Sequence, residues 1–175
     1  MADAPTRRCL YHGRALILNV ETAVFPDGRR EELEIVRHPG GAAAVALDDD
    51  DRVCLIRQYR YAAGGWLWEI PAGRLEVDEA PLACARRELA EEAGVEAADW
   101  RPLGQLLPSP GICDERIYLF LARGLSRVDT AHEDGEYIEI HWFPQTQVRA
   151  MICQGQIVDA KTLIALQNLH LCQPV

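Results

Sequence analysis

Absences narrow the possibilities first. The sequence has no CxxC pair and no Cys/His cluster; its six cysteines, Cys9, Cys54, Cys84, Cys113, Cys153 and Cys172, are scattered singly. That spacing argues against a zinc site and against a disulfide framework, and the chain reads as reduced and cytoplasmic. No apolar run approaches the length needed to span a bilayer. The opening MADAPTRRCLYHG holds no apolar segment long enough for a secretory signal, so no membrane partner is expected. Positive charge is in short supply. Eighteen Lys and Arg stand against 27 Asp and Glu, a formal net charge of −9, which argues against a broad nucleic-acid surface. Internal repeats and low-complexity segments are also missing.

What is present fits one globular domain with a small appendage: 175 residues, 49% apolar and 26% charged. Residues 15–25 and 30–38 read as two strands joined by the turn Pro26-Asp27-Gly28. This antiparallel ribbon, residues 1–40, is set apart from a main domain over 41–175. AAAVAL and RVCLIRQYR read as a second hairpin, with Asp48 to Asp51 as a solvated turn. A short strand, WLWEIPAG, leads into a helix of about 14 residues within Asp78–Gly94. Asp78 is its expected N-cap, Pro81 its first turn and Gly94 its left-handed stop. RPLGQLL, RIYLFLAR and EYIEIHWF are three further strands. Helices over 146–154 and 159–171 close the chain, the second capped by Asp159 with Leu163, Leu166 and Leu169 facing inward. Strands first, a helix in the middle, more strands and then helices make an α+β domain.

The central helix carries an oddity. RRELAEEAG places Glu88, Glu91 and Glu92 within two turns, where like charges repel by about 0.2–0.5 kcal/mol per pair. On a helical wheel Leu82, Ala85, Leu89 and Ala93 fall in an arc of roughly 80° and form the buried stripe. Glu88 and Glu92 lie together along its margin, with Glu91 just outside. No lysine on this helix pairs them. Two readings stand at this point: a surface helix with solvated acids, or a rigid carboxylate set for Mg²⁺ or Mn²⁺. Arg87 can reach Glu91 and Glu79 and orient them.

Gly73-Arg-Leu-Glu-Val-Asp-Glu79-Ala-Pro-Leu-Ala-Cys-Ala-Arg-Arg87-Glu88-Leu89-Ala-Glu91-Glu92-Ala-Gly94-Val95 resembles the Nudix box, GX5EX7REUXEEXGU with U aliphatic, at every fixed position. SPGICDER, from Ser109, is similar to the element that follows the box in ADP-ribose and nucleotide-sugar pyrophosphatases. The resemblance implies a Nudix-type α/β/α sandwich with a mixed sheet, and hydrolysis of a nucleoside diphosphate linked to another moiety. It implies Mg²⁺ (or Mn²⁺), two or three ions, held by Glu88, Glu92, Glu91 and the carbonyl of Ala72, with Glu79 bridging to Arg87. It implies a substrate side formed by Arg60, Arg57, Glu69, Ser109 and Gly111, and a homodimer built through the N-terminal ribbon. Trp66 and Trp68 are read either as an aromatic surface for adenine or dimer contact or as core. For the general base the loop 130–136 is favoured: Glu136 first, Glu133 second, with Glu91 third. His132 beside them is read as merely solvated. ADP-ribose, cleaved to AMP and ribose 5-phosphate, is the favoured substrate. ADP-glucose or GDP-mannose is the alternative, and a Nudix-fold sensor that binds ADP-ribose without cutting it is the alternative of another class.

Overall fold

The computed structural model describes residues 6–132 and 135–171, and the chain divides into two compact units. One unit is drawn from the chain up to Gly40 together with Leu107–Arg116. It holds β1 (Arg7–His12), β2 (Ile17–Val24) and β3 (Arg30–Arg37) in an antiparallel sheet of that order. The predicted ribbon is β2 with β3, in register from Ile17 opposite Arg37 to Val24 opposite Arg30. Gly28 turns it with φ 83°. β1 was not anticipated. All six of its residues are exposed, so no apolar alternation marks it, and only its pairing to β2 makes it a strand.

The segment Leu107–Arg116 belongs to this unit through β3. The amide of Val36 donates to the Ile112 carbonyl at 2.8 Å, and that of Asp114 to the Val36 carbonyl at 3.2 Å. The Asp114 carboxylate accepts from Arg37 Nη1 at 2.8 Å and from the His38 amide at 2.9 Å. Ser109 heads a turn whose carbonyl accepts from the amides of Ile112 and Cys113.

The larger unit has two sheets. β7 (Ala72–Arg74), β4 (Gly41–Ala46), β9 (Ile117–Arg127) and β8 (Val95–Leu106) form one, in that order, with β4 parallel to β9. β10 (Ile138–Pro144), β5 (Arg52–Arg60) and β6 (Gly65–Glu69) form the other, antiparallel throughout. The expected hairpin of β4 with β5 does not form. The two strands lie in different sheets and share only the bridge of Leu47 with Val53. The cause lies in burial: every residue of β4 is buried, so it needs cover on both faces and a partner on each edge. It finds them in β7 and β9, while β5 is the middle strand of its own sheet.

Among the described residues three α-helices complete the unit: α1 (Pro81–Ala93), α2 (Gln145–Cys153) and α3 (Ala160–Leu171). Strand parity assigns their layers. Ala44 and Ala46 of β4 and Cys54 of β5 pack with Leu89 and Ala93 of α1. Ala43, Val45, Val53 and Leu55 pack with Val148 and Met151 of α2 and with Leu166 and Leu169 of α3. α1 therefore covers one face and α2 and α3 the other, an α/β/α sandwich with a mixed sheet. Among the described residues no helix is long and apolar enough to cross a membrane.

The start of α1 differs from expectation. Ala80 is the N-cap and makes no side-chain bond, while Asp78 sits at φ 61° in the turn before it. Pro81 at N1 and Gly94, left-handed at φ 64°, are where the signals placed them. Leu82 is only half-buried; Cys84 and Glu92 share the buried face instead, because that face meets β7 as well as β4.

Candidate active site

The site begins with a close approach of backbone to carboxylate. β7 pairs with β4, Ala72 opposite Ala43 and Gly73 opposite Ala42, and α1 packs on both strands. A Cβ on Gly73 would coincide with the Glu88 carboxylate. Only glycine leaves Glu88 that room.

Glu92, one turn further on, is 3% exposed and accepts from the Ala72 amide at 2.8 Å. Burial pushes its carboxyl up to about 8; the nearby charges of Glu88 and Glu136 add to the rise, and the Ala72 amide and Arg60 oppose it. Glu88 is shifted the same way, by burial first, with Glu91 and Glu136 adding and Arg87 opposing. Burial and neighbouring carboxylates thus raise the proton affinity of both Glu88 and Glu92 on α1, the pattern expected where a cation is to be bound.

Arg87 answers the crowding. Nε and Nη2 engage Glu79 at 3.0 and 3.1 Å, and Nη1 reaches Glu88 at 2.7 Å and Glu91 at 3.1 Å. Nη2 also donates to the Arg74 carbonyl at 3.1 Å. The sequence foresaw the Glu79 and Glu91 contacts, and the structure adds Glu88 and Arg74. Paired by Arg87, the Glu79 carboxyl falls to about 2. Among the described residues no three His, Cys, Asp or Glu side chains are gathered into a ready-made ion cage, and Arg87 supplies a reason: it occupies one oxygen each of Glu88 and Glu91. The donors nevertheless fit a hard divalent cation: carboxylates only, one of them buried and raised in proton affinity, and the main chain of Ala72 beside it.

The loop after β9 is tied to the same helix end. The Ala131 amide donates to the Glu91 carbonyl at 3.0 Å, and the Val128 amide to that of Gly94 at 3.0 Å. His132, read as solvated, stands with Nε2 3.2 Å from the Glu92 carbonyl and caps it as a donor. Glu136, beyond the undescribed residues 133–134, lies within electrostatic range of both Glu88 and Glu92. Glu133 lies outside the described residues.

On β5, Arg57 and Arg60 are three apart and point to opposite faces. Arg60 has the parity of Cys54, toward α1, and it interacts electrostatically with Glu92. Arg57 has the parity of Leu55. It stacks over Trp66 at 5.2 Å and pairs with Glu139 at 3.4 Å. Trp66 is exposed, whereas Trp68 packs on the core, edge-on to Phe143 at 5.3 Å. Glu69, read as substrate-facing, is 1% exposed, and its two oxygens accept from Arg60 Nε and Nη2, both at 2.9 Å. Ser109 and Gly111 belong to the other unit. Lys161, also bonded to Glu69, was missed by sequence reasoning, although it is the chain's single lysine.

A model of the NUDIX domain matches residues 37–163. The methanol dehydrogenase activator of Bacillus methanolicus is 36% identical over 164 residues, 93% of this chain and 89% of its own. The ADP-ribose pyrophosphatase of Bacillus subtilis is 34% identical over 164 residues, with the same two coverages of 93% and 89%. Among solved structures, an ADP compounds hydrolase superposes with a TM-score of 0.80 at 21% identity, over 97% of this chain and 94% of its own.

Proposed function

The chain belongs to the NUDIX family and is a hydrolase of that family, and we propose that it cleaves the pyrophosphate bond of ADP-ribose to AMP and ribose 5-phosphate with the help of Mg²⁺. One observation carries the reading: Glu88 and Glu92 on α1 both lie in the field of Glu136, and Glu92 is so buried that it keeps its proton while no ion is bound. Such a set is stable in its charged form only beside a cation. Glu88, Glu92 and Glu91, with the main chain of Ala72, are the residues that would hold it. A bound Mg²⁺ supplies charge neutralisation of the phosphate oxygens and a lowered pKa for bound water.

The protein's own groups supply the rest. Arg60, on the α1 side of β5, meets the diphosphate and stabilises the charge that develops on it. Glu136, a carboxylate within electrostatic range of Glu88 and Glu92, takes the proton of the attacking water. Arg87 bridges Glu79, Glu88 and Glu91 and orients their carboxylates. The N-terminal sheet serves as a dimerisation element.

The test is product analysis. With Mg²⁺ and a panel of ADP-ribose, ADP-glucose and GDP-mannose, ADP-ribose is expected to be turned over fastest, giving equal AMP and ribose 5-phosphate. Faster cleavage of GDP-mannose reassigns the substrate, and no cleavage of any panel member in Mg²⁺ or Mn²⁺ sinks the reading.

A further inference from the structure

Lys161 is the chain's single lysine against 17 arginines, and it is in an unusual place. Lysine is a surface residue by habit, yet this side chain is 11% exposed. It sits in the first turn of α3, the end where the helix dipole disfavours a cation. Two carboxylates account for it. Nζ bonds Glu69 Oε2 and stands 3.1 Å from Asp159 Oδ1. Asp159 is fixed in turn, since its other oxygen caps α3 by accepting from the Thr162 amide at 3.0 Å and hydroxyl at 2.6 Å. That hydroxyl oxygen accepts from the Ile70 amide at 2.9 Å, so the helix start is bonded to the chain just after β6.

The result is a row of alternating charges, Asp159, Lys161, Glu69 and Arg60, running from the α3 cap to β5. Side-chain exposures along it are 17%, 11%, 1% and 39%, so only its last member opens to solvent. The Glu69 fork holds Nε and Nη2 of Arg60 and leaves Nη1 outside the clamp. A buried carboxylate with a single cation would draw that cation inward; a second cation on the same oxygen relieves the pull.

We propose that Lys161 is a positioning residue for Arg60: anchored by Asp159, it fixes the buried Glu69 carboxylate so that Arg60 is held with a guanidinium edge free for the substrate's diphosphate. This rests on the hydrolase reading above. Removing Lys161 leaves Asp159 and Glu69 facing each other and ties Arg60 to Glu69 alone. Lys161 touches no reacting atom, so its effect must pass through Arg60.

A double-mutant cycle tests that passage. ADP-ribose binding is measured by calorimetry with Ca²⁺ in place of Mg²⁺, and kcat and KM are measured with Mg²⁺. Lys161→Met and Arg60→Gln are each expected to weaken binding about tenfold, the size of one charge-assisted hydrogen bond. The double variant is expected to be no weaker than Arg60→Gln. Losses that add, or unchanged binding in Lys161→Met, overturn the proposal.

A second measurement stands apart from activity and from the folding of Lys161→Met. In protein labelled with ¹⁵N-lysine the single ammonium gives one signal. It is expected to be visible through slow exchange with water, and to shift in Arg60→Gln. A signal indifferent to Arg60→Gln overturns the proposal even if the enzyme cleaves nothing. If the wild type neither binds nor cleaves any nucleotide sugar while that signal does shift, the hydrolase reading fails and the Lys161–Arg60 coupling stands.

Discussion

Glu92 shows how one residue's surroundings set its chemistry. Burial lifts its carboxyl from 4.5 to about 8, so the ion-free folded state keeps a proton that the unfolded chain gives up near 4.5. The stability this group contributes is fully present below that value and is lost as pH rises through about 8. Glu92→Gln stays neutral and keeps an oxygen for the Ala72 amide. In chelator it is expected to melt above the wild type at about pH 9 and level with it at about pH 4. Its turnover is expected to fall at least about a hundredfold, because a charged partner of the ion is gone. Melting curves and initial rates on one preparation check both. Arg87 works in the opposite sense, by compensation. Arg87→Met is expected to lower ion affinity or activity about 10- to 100-fold, read by titrating Mn²⁺ into the variant.

Elements matter through their junctions more than their interiors. β7 meets α1 at Gly73, where any Cβ runs into Glu88. Gly73→Ala is therefore expected to displace that carboxylate and to cost most of the activity, with much smaller loss of the cooperative melt. At the far end of α1, Gly94 adopts φ 64°, and a Cβ there would approach Thr130 Cγ2 to 3.0 Å and the Val128 carbonyl oxygen to 3.2 Å. Gly94→Ala is expected to lose about 1–2 kcal/mol of stability from the left-handed backbone. It is also expected to loosen the loop that carries Glu136, seen as faster amide exchange at Ala131. These two glycines were legible as box positions; their reasons, one steric against a side chain and one conformational, belong to the packed structure.

The molecule as a whole balances acids that pull stability in opposite directions with pH. Glu79, held by Arg87, and Glu21, held by Arg37, are both depressed to about 2. What they contribute is present above 4.5 and lost as pH falls toward about 2. Glu92 acts from the alkaline side. In chelator the protein is expected to be most stable on the acid side of neutrality. Mg²⁺ is expected to flatten the alkaline limb, since an ion that binds only the folded state at a hundred times its Kd adds about 2.7 kcal/mol. The melting-temperature gain on adding Mg²⁺ should therefore be larger at about pH 8 than at about pH 5, and should vanish in Glu92→Gln.

The sequence alone determined whatever is local. Helical spacing put Glu88, Glu91 and Glu92 on one flank, Pro81 and Gly94 bounded α1, alternation marked β2, β3, β9 and β10, and Asp159 capped α3. Such signals act within a few residues, so no partner is needed to read them. Tertiary structure decided who meets whom. It split β4 from β5 into separate sheets, since a strand buried on both faces must be flanked by others. It gave β1 its strand identity through β2, sent Arg57 and Arg60 to opposite faces, and brought Lys161 across 92 residues to Glu69. Those outcomes depend on burial and on electrostatics in a desolvated interior, which exist only once distant segments have packed.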